Sequence, residues 1–372
     1  MQINPDNKIK MKNRIFRQLA MASVTLAIGF ASCTGDKGGA DQNANAAADK
    51  QLLGAGSTFG YPIYSKMFAE YGKKDSTQTN YQSIGSGGGI KQLLSKTVDF
   101  GASDAFLSDD EMSKAPAPIV QFPTCLGAVV LSYNLPDNPE LKFTPDIIAG
   151  IYMKTITKWN DAKIKAENPD VKLPDQDITV VHRSDGSGTT FIFTDYLSKV
   201  SADFKSKIGV GKSVNWPDGE IGGKGTEGVA GVVKQTPGAI GYIELTYALQ
   251  NNMGYAQVKN AAGNYVKATL ESTSLCANMD IPADTRISIT NSNVDQAYPI
   301  CSFTWIMLYK EQKYGDRSAG KANTLLKELW WMIHDGQQQC TPLNYAPLPA
   351  KAVAAGEAIL KSVTYDGKPI LQ

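Results

Sequence analysis

A chain of 372 residues with 42% apolar and 20% charged residues has the make-up of a folded protein, too long for one small core and too apolar for a disordered chain. Its formal charge is +1, but residues 1–32 hold five basic residues and one acidic one, so the remainder has 32 basic and 35 acidic residues and a net charge near −3. That balance excludes nucleic-acid binding through a basic surface and leaves any anion to be held by local geometry.

The amino terminus reads first. Lys8, Lys10, Lys12, Arg14 and Arg17 precede an apolar run from Leu19 to Phe30, then Ala31-Ser32-Cys33. A basic segment, a short apolar stretch and small residues form an export signal over 1–32, too short to span a membrane. Met11 is a second candidate start. Cys33 resembles the lipidation cysteine of a bacterial lipoprotein, although Phe30 stands where such signals carry an aliphatic residue; a plain secretory signal with an incidental Cys33 is the alternative. The stretch 33–50 contains no aromatic residue and is rich in Ala, Asn, Asp and Gly, the composition of a flexible tether.

The ordered chain begins near Leu52 and alternates strand-like with helical segments. Tyr61 to Tyr71 sets Ile63, Met67 and Phe68 at helical spacing, with Pro62 suited to a first turn. Ile90, Leu93 and Leu94 repeat that pattern, and Val98 to Asp104 reads as a short strand. Ser108-Asp109-Asp110-Glu111 has the spacing of a capping box, and Thr144-Pro145 opens another helix. Asp177 to Arg183 and Ala239 to Ile243 are strands, whereas Gly188 to Leu197 and Val229 to Lys234 are helices. Two apolar runs, Gln121 to Tyr133 and Tyr298 to Tyr309, each have a proline near the start. They read either as central core strands or as paired crossings between two lobes. Cys125, Cys276, Cys301 and Cys340 match no zinc spacing. Export permits disulfides, three pairings are open, and Cys125 and Cys301 suit buried free thiols equally well.

Three loops share one design, with small hydroxyl residues and glycines just before a helix. They are Gly54-Ala55-Gly56-Ser57-Thr58-Phe59, Gly85-Ser86-Gly87-Gly88-Gly89 and Arg183-Ser184-Asp185-Gly186-Ser187-Gly188-Thr189. The first turn of a helix has unpartnered N–H groups and a favourable dipole, so it suits an oxyanion. Glycine permits close approach, and Ser or Thr adds a directed hydroxyl. None of the loops has the Lys-Ser/Thr pair of a nucleotide-hydrolase phosphate loop, and Phe59 stands where a dinucleotide fingerprint needs its third glycine.

The segments GAGSTF, IGSGGGIKQL, VDFGASDAFLSD, RSDGSGTTFIFTDYL, GGKGTEGV and GAIGYIE occur in that order. Together they resemble the periplasmic phosphate-binding proteins of phosphate-specific ABC transporters, from Leu52 to the carboxyl terminus. The resemblance implies a type II periplasmic binding protein, with two α/β lobes joined by two crossing strands and a ligand cleft between them. It implies a discontinuous first lobe of 51–124 and 302–372, and a second lobe of 125–301. By the same resemblance, phosphate meets Thr58 and Phe59 through backbone N–H, with the Thr58 hydroxyl adding a bond. Ser86, Arg183, Ser187, Gly188 and Thr189 supply further contacts, and Ser57 and Asp185 support them. Asp104 is the exception, an acceptor that welcomes the proton phosphate keeps and that repels sulfate. Arg183 is expected to offer a forked grip. Gly87 stands where relatives commonly have Ser and is expected to make its loop more flexible.

The resemblance further implies a monomer that delivers phosphate to the transporter's permease subunits, held at a membrane by its lipid and needing no cofactor. A binder of another tetrahedral oxyanion is the alternative. An enzyme is not expected. The only histidines are His182 and His334, neither Ser86 nor Ser187 lies in a Gly-x-Ser-x-Gly elbow, and no His, Cys and carboxylate cluster suits a metal phosphatase.

Overall fold

The computed structural model describes residues 46–371. The export signal and Cys33 lie outside them. The expected tether ends sooner than Lys50: residues 46–48 are helical, Lys50 pairs with Asp75, and Asp49 accepts a hydrogen bond from Ser318. The chain is already docked at Asp49 because these charged side chains find partners on the body.

The sheet grows from the elements read above. Strand β1 (Gln51–Gly56) leads through the first glycine loop into helix α1 (Tyr61–Asp75), whose Pro62 sits in the first turn. Strand β2 (Gln78–Ser83) leads through the second loop into α2 (Ser86–Leu94). Strand β3 (Phe100–Ser103) is followed by α3 (Asp109–Ser113), where Ser108 and Glu111 close the expected capping box. Then comes β4 (Ile119–Tyr133), a strand of 15 residues. A short β5 (Lys142–Phe143) precedes α4 (Pro145–Tyr152), capped by Thr144. Strand β6 (Thr179–Arg183) enters α5 (Gly188–Val200) through the third loop, and β7 (Ile221–Gly223) enters α6 (Gly225–Gln235). Strand β8 (Ala239–Glu244) runs into α7 (Leu245–Gln250). The short strands β9 (Gly254–Tyr255), β10 (Gln257–Lys259) and β11 (Tyr265–Val266) precede β12 (Cys301–Tyr309). Helices α8 (Ala319–Ile333) and α9 (Ala350–Lys361) follow β12.

One sheet runs in the order β2-β1-β3-β12-β4-β8-β6-β7, with β9 also on β4. Strand β4 makes it continuous. Its residues 119–128 pair with β12, and 129–133 pair with β8, so it exchanges partners between Ala128 and Val129. The two apolar runs are therefore both central strands and the crossings between two halves of the sheet. Within each half the neighbouring β–loop–α units are parallel (β1 with β2 and β3, β6 with β7 and β8), as such units require. Their helix-entering loops consequently converge at the carboxyl ends of the strands, the usual place for a ligand in open α/β sheets.

Pro123 should be awkward inside β4, because proline cannot donate to the ladder. The register resolves it: Thr304 faces Cys125 and Trp305 faces Pro123, leaving Thr124 in a bulge. The Thr124 hydroxyl donates to Thr304 O at 3.1 Å, and Tyr64 of α1 reaches the hydroxyls of both Thr124 and Thr304 at 2.9 Å. Helix α1 is thus tied to both crossing strands by one buried phenol. Removing that hydroxyl in Tyr64→Phe keeps the ring against Phe68 and Tyr81 but strips two buried hydroxyls of a partner. We expect a loss of about 1–3 kcal/mol in unfolding free energy, measured by urea denaturation with an unchanged m-value.

Candidate anion-binding site

The first loop is held from behind. Gly56 has φ +142°, and a Cβ there would lie 2.0 Å from Ala102 O, so only glycine lets β1 turn beside β3. Beyond it, three consecutive carbonyls each accept from a tyrosine hydroxyl. Tyr81 holds Ser57 O at 2.9 Å, Tyr247 holds Thr58 O at 2.7 Å and Tyr345 holds Phe59 O at 2.5 Å. In a trans peptide the next N–H points opposite to the carbonyl. Fixing the Ser57 and Thr58 carbonyls therefore aims the N–H groups of Thr58 and Phe59 to the other side. Among the described residues neither of these N–H groups donates to a protein acceptor, although both residues are buried. The Gly60 N–H, by contrast, is used internally, on Ser57 Oγ at 2.8 Å.

Asp104 follows the end of β3 and is 1% exposed. Its Oδ1 accepts from Ser57 and from Thr304 (2.9 Å), and its Oδ2 lies 3.4 Å from Ser86 Oγ. Burial pushes its carboxyl up to about 6, against the opposing pull of these hydroxyls and of the Arg183 charge.

Arg183 ends β6 with its side chain 1% exposed. The fork that Arg183 can turn toward an anion is its Nη1/Nη2 end, because its other edge is taken. Nε and Nη2 are taken by Asp185, at 2.8 and 2.6 Å, so that edge of the guanidinium is closed. The remaining Nη hydrogens face the hydroxyls of Thr189 and Thr226, which lie 3.3 and 3.4 Å from Nη1. Asp185 also accepts from Gly225 N at 3.0 Å. Its carboxyl is held below its usual range, the Arg183 bonds and charge outweighing the burial that raises it. Its part is therefore bracing. Ser187 caps α5 by accepting from Thr190 N at 3.0 Å, and this use leaves its own proton available.

The halves touch through these same residues. Ser86 Oγ accepts from Gly188 N at 3.0 Å, and Thr58 Oγ1 accepts from Thr226 N at 3.0 Å. Gly87 N donates to Gly186 O at 2.8 Å, and a Cβ on Gly87 would stand 3.0 Å from Gly186 Cα. Gly87 is thus a point of close backbone contact between halves, not the source of slack expected for its loop. Farther out, Lys212 pairs with Glu111 at 2.8 Å.

All the expected residues (Ser57, Thr58, Phe59, Ser86, Asp104, Arg183, Asp185, Ser187, Gly188 and Thr189) converge here, linked by the contacts above. Sequence reading missed Thr226, Thr304 and the three tyrosines. Gly225-Thr226 opens α6 with Gly225 at φ +72°, a fourth instance of the same loop design that could have been found. Nothing local marks Thr304 or the tyrosines. His182 turns to Arg183 O and Trp216, and His334 to Glu357 and Trp330, so neither reaches the site. Among the described residues no group of three His, Cys, Asp or Glu could hold a metal.

Comparison with known proteins gives the same picture. Residues 41–330 match the model of the PBP superfamily domain. The chain is 46% identical over 314 residues to the phosphate-binding protein PstS of Xylella fastidiosa, covering 83% of this chain and 84% of that one. It is 42% identical over 308 residues to the PstS of Haemophilus influenzae, covering 82% and 90%. In fold it is similar to a high-affinity periplasmic phosphate-binding protein, PfluDING, solved with phosphate (TM-score 0.68, 20% identity, 83% and 93% covered). By sequence and by architecture, this chain belongs to the PstS family of phosphate-binding proteins within the PBP superfamily.

Proposed function

We propose that the protein captures inorganic phosphate between the two halves of its sheet, in the cell envelope, and delivers it to the permease of an ABC-type importer. The observation that carries this reading is a set of donors around one buried acceptor. Thr58 and Phe59 present unpartnered N–H groups, Arg183 presents its remaining Nη hydrogens, and Asp104 alone can only accept when ionised. Ser86, Ser187, Gly188 and Thr189 complete the ligand set, with Ser57 and Asp185 in support. The hydrogen bonds now made across the halves, such as Gly188 N to Ser86 Oγ, exchange for bonds to the anion.

The bodies that move are 51–124 with 302–372, and 125–301, hinged where β4 exchanges partners. Each supplies part of the site, so full coordination requires closure. The closed, loaded form is what the permease recognises. The chain acts as a monomer and as a binder, not a catalyst. A lipid on Cys33 holds it at a membrane. Accordingly, Cys33→Ala should move the chain from the membrane fraction to the soluble envelope fraction on cell fractionation, with unchanged phosphate affinity.

Selectivity follows from Asp104. Phosphate near neutral pH keeps a proton and donates it to the carboxylate, whereas sulfate sets lone pairs against it. Such a juxtaposition costs several kcal/mol in a desolvated site, and each ~1.4 kcal/mol is tenfold in affinity. Isothermal titration should show Asp104→Asn narrowing the phosphate-over-sulfate preference by about tenfold or more. Arg183→Ala should instead weaken phosphate by about 2–5 kcal/mol, since it also leaves Asp185 unpaired. Tight sulfate binding by the unaltered protein would remove this role from Asp104.

The same residue gives a pH signature. Its carboxyl titrates near 6 because burial raises it. Above that pH the ionised group repels sulfate; below it the protonated group donates instead. The preference should therefore be full above pH 6 and shrink as pH falls through it, as measured by sulfate competition on either side. Stability of the unliganded protein runs in the opposite sense. A raised acid favours the fold at low pH and loses that contribution as pH rises from its unfolded value toward about 6.

A further inference from the structure

The fold gathers the four body cysteines into two adjacent pairs. Cys276 and Cys301 both donate to the carbonyl of Tyr298, from Sγ atoms at 2.9 and 3.1 Å, and so lie side by side. Cys125 and Cys340 flank the bridge between Leu126 and Ala346. Gln337 binds them together, donating to Thr124 O at 2.8 Å and accepting from Cys340 Sγ at 3.9 Å. Leu126 and Ala346 exchange two backbone bonds of 2.9 Å beside them. All four are free, buried thiols. Four cysteines scattered over residues 125–340 have no reason of composition to meet two by two. Nor does either pair lie in a possible metal cluster among the described residues.

We propose that the exported protein forms two disulfides, Cys125–Cys340 and Cys276–Cys301, each fastening one crossing strand beside the hinge. Cys125 lies on β4 opposite Thr304, and Cys301 begins β12 opposite Ala128, next to the point where β4 exchanges partners. The first bridge ties β4 to the turn that carries Tyr345, which holds the Phe59 carbonyl. The second closes the segment that returns from β11 into β12. The proposal rests on export to an oxidising compartment and not on the identity of the ligand.

The chemistry balances with an external disulfide as oxidant, either a protein dithiol oxidase of the envelope or oxidised glutathione. One cysteine thiolate attacks the oxidant's S–S bond and forms a mixed disulfide, releasing a thiol. The second cysteine then displaces the oxidant's remaining sulfur. Two thiols lose two protons and two electrons, and the oxidant leaves as two thiols. In the folded core, burial pushes the thiols of Cys125 and Cys301 well up and shields them from an oxidant. Bridge formation therefore belongs to the folding chain, before the core closes. A chain that folds reduced stays reduced.

The test uses the full-length chain, expressed with its own leader in a host with an oxidising envelope, trapped with an alkylating agent and denatured without reductant. The expected result is no label on the four body cysteines, a mass lower by two hydrogens per bridge than the reduced sample, and linked peptides joining 125 to 340 and 276 to 301. The purified chain, reduced and unfolded, should regain these two bridges and no others when refolded in a glutathione redox buffer. In Cys340→Ala, Cys125 should become alkylated after denaturation while Cys276–Cys301 survives. Free thiols after glutathione refolding, or any other pairing, would overturn the proposal. A chain with both bridges that ignored phosphate in titration would overturn the proposed function and leave this inference standing.

Discussion

Asp104 is an ionisable group with 1% of its surface exposed, and a carboxylate so placed is costly unless donors surround it. The structure surrounds it. Ser57 comes from the first loop, Ser86 from the second, and Thr304 from a crossing strand some two hundred residues away in sequence. Each donor is itself fixed: Ser57 by the Gly60 N–H, Thr304 by Tyr64, and Ser86 by the Gly188 N–H of the opposite half. The carboxyl still titrates near 6, so desolvation is only partly offset. In the proposed role, a group held in this way would discriminate by what it refuses, an economical route to selectivity among anions of like shape.

The positive side of the site is built differently. Two backbone N–H groups cannot be tuned by substitution, so their direction has to be set by what holds the other edge of each peptide. Tyr81 and Tyr247 do this from two separate elements, Tyr247 from the far half of the sheet, while Tyr345 holds the next carbonyl, Phe59 O. Tyr247 therefore sets the aim of the Phe59 N–H from the opposite half of the sheet. Arg183 is handled similarly. Asp185 takes one edge of the guanidinium and locks its plane, which leaves the Nη1/Nη2 end as an oriented fork.

The proposed opening and closing would need a hinge that bends without losing the sheet. Strand β4 meets that demand by serving two halves in turn, with a bulge at Thr124 next to Pro123. The bulge is more than a tolerance for proline. It frees the Thr124 hydroxyl to join Tyr64 and Thr304, and so brings the hinge into the same hydrogen-bond network as Asp104. Site protonation and hinge packing are linked through that chain of hydroxyls.

Much of this was legible locally. Hydroxyl-glycine loops before helices signal orphan N–H groups wherever they occur, because the pattern is confined to a few consecutive residues. The capping box at Ser108, the cap at Thr144 and the glycine turn at Gly56 were set by short-range geometry in the same way. Even the two apolar runs were visible, though not which of their two roles they would play. What only the tertiary structure decided is everything that joins distant residues. It braced one edge of Arg183 with Asp185, turned Gly87 from slack into contact, and brought Thr226, Thr304 and three tyrosines to the site. It also set the four buried free thiols side by side in two neighbouring pairs. The reason is physical: a side chain's partner across the sheet depends on register and crossing, and these are fixed by burial of the whole core, which no short stretch of sequence contains.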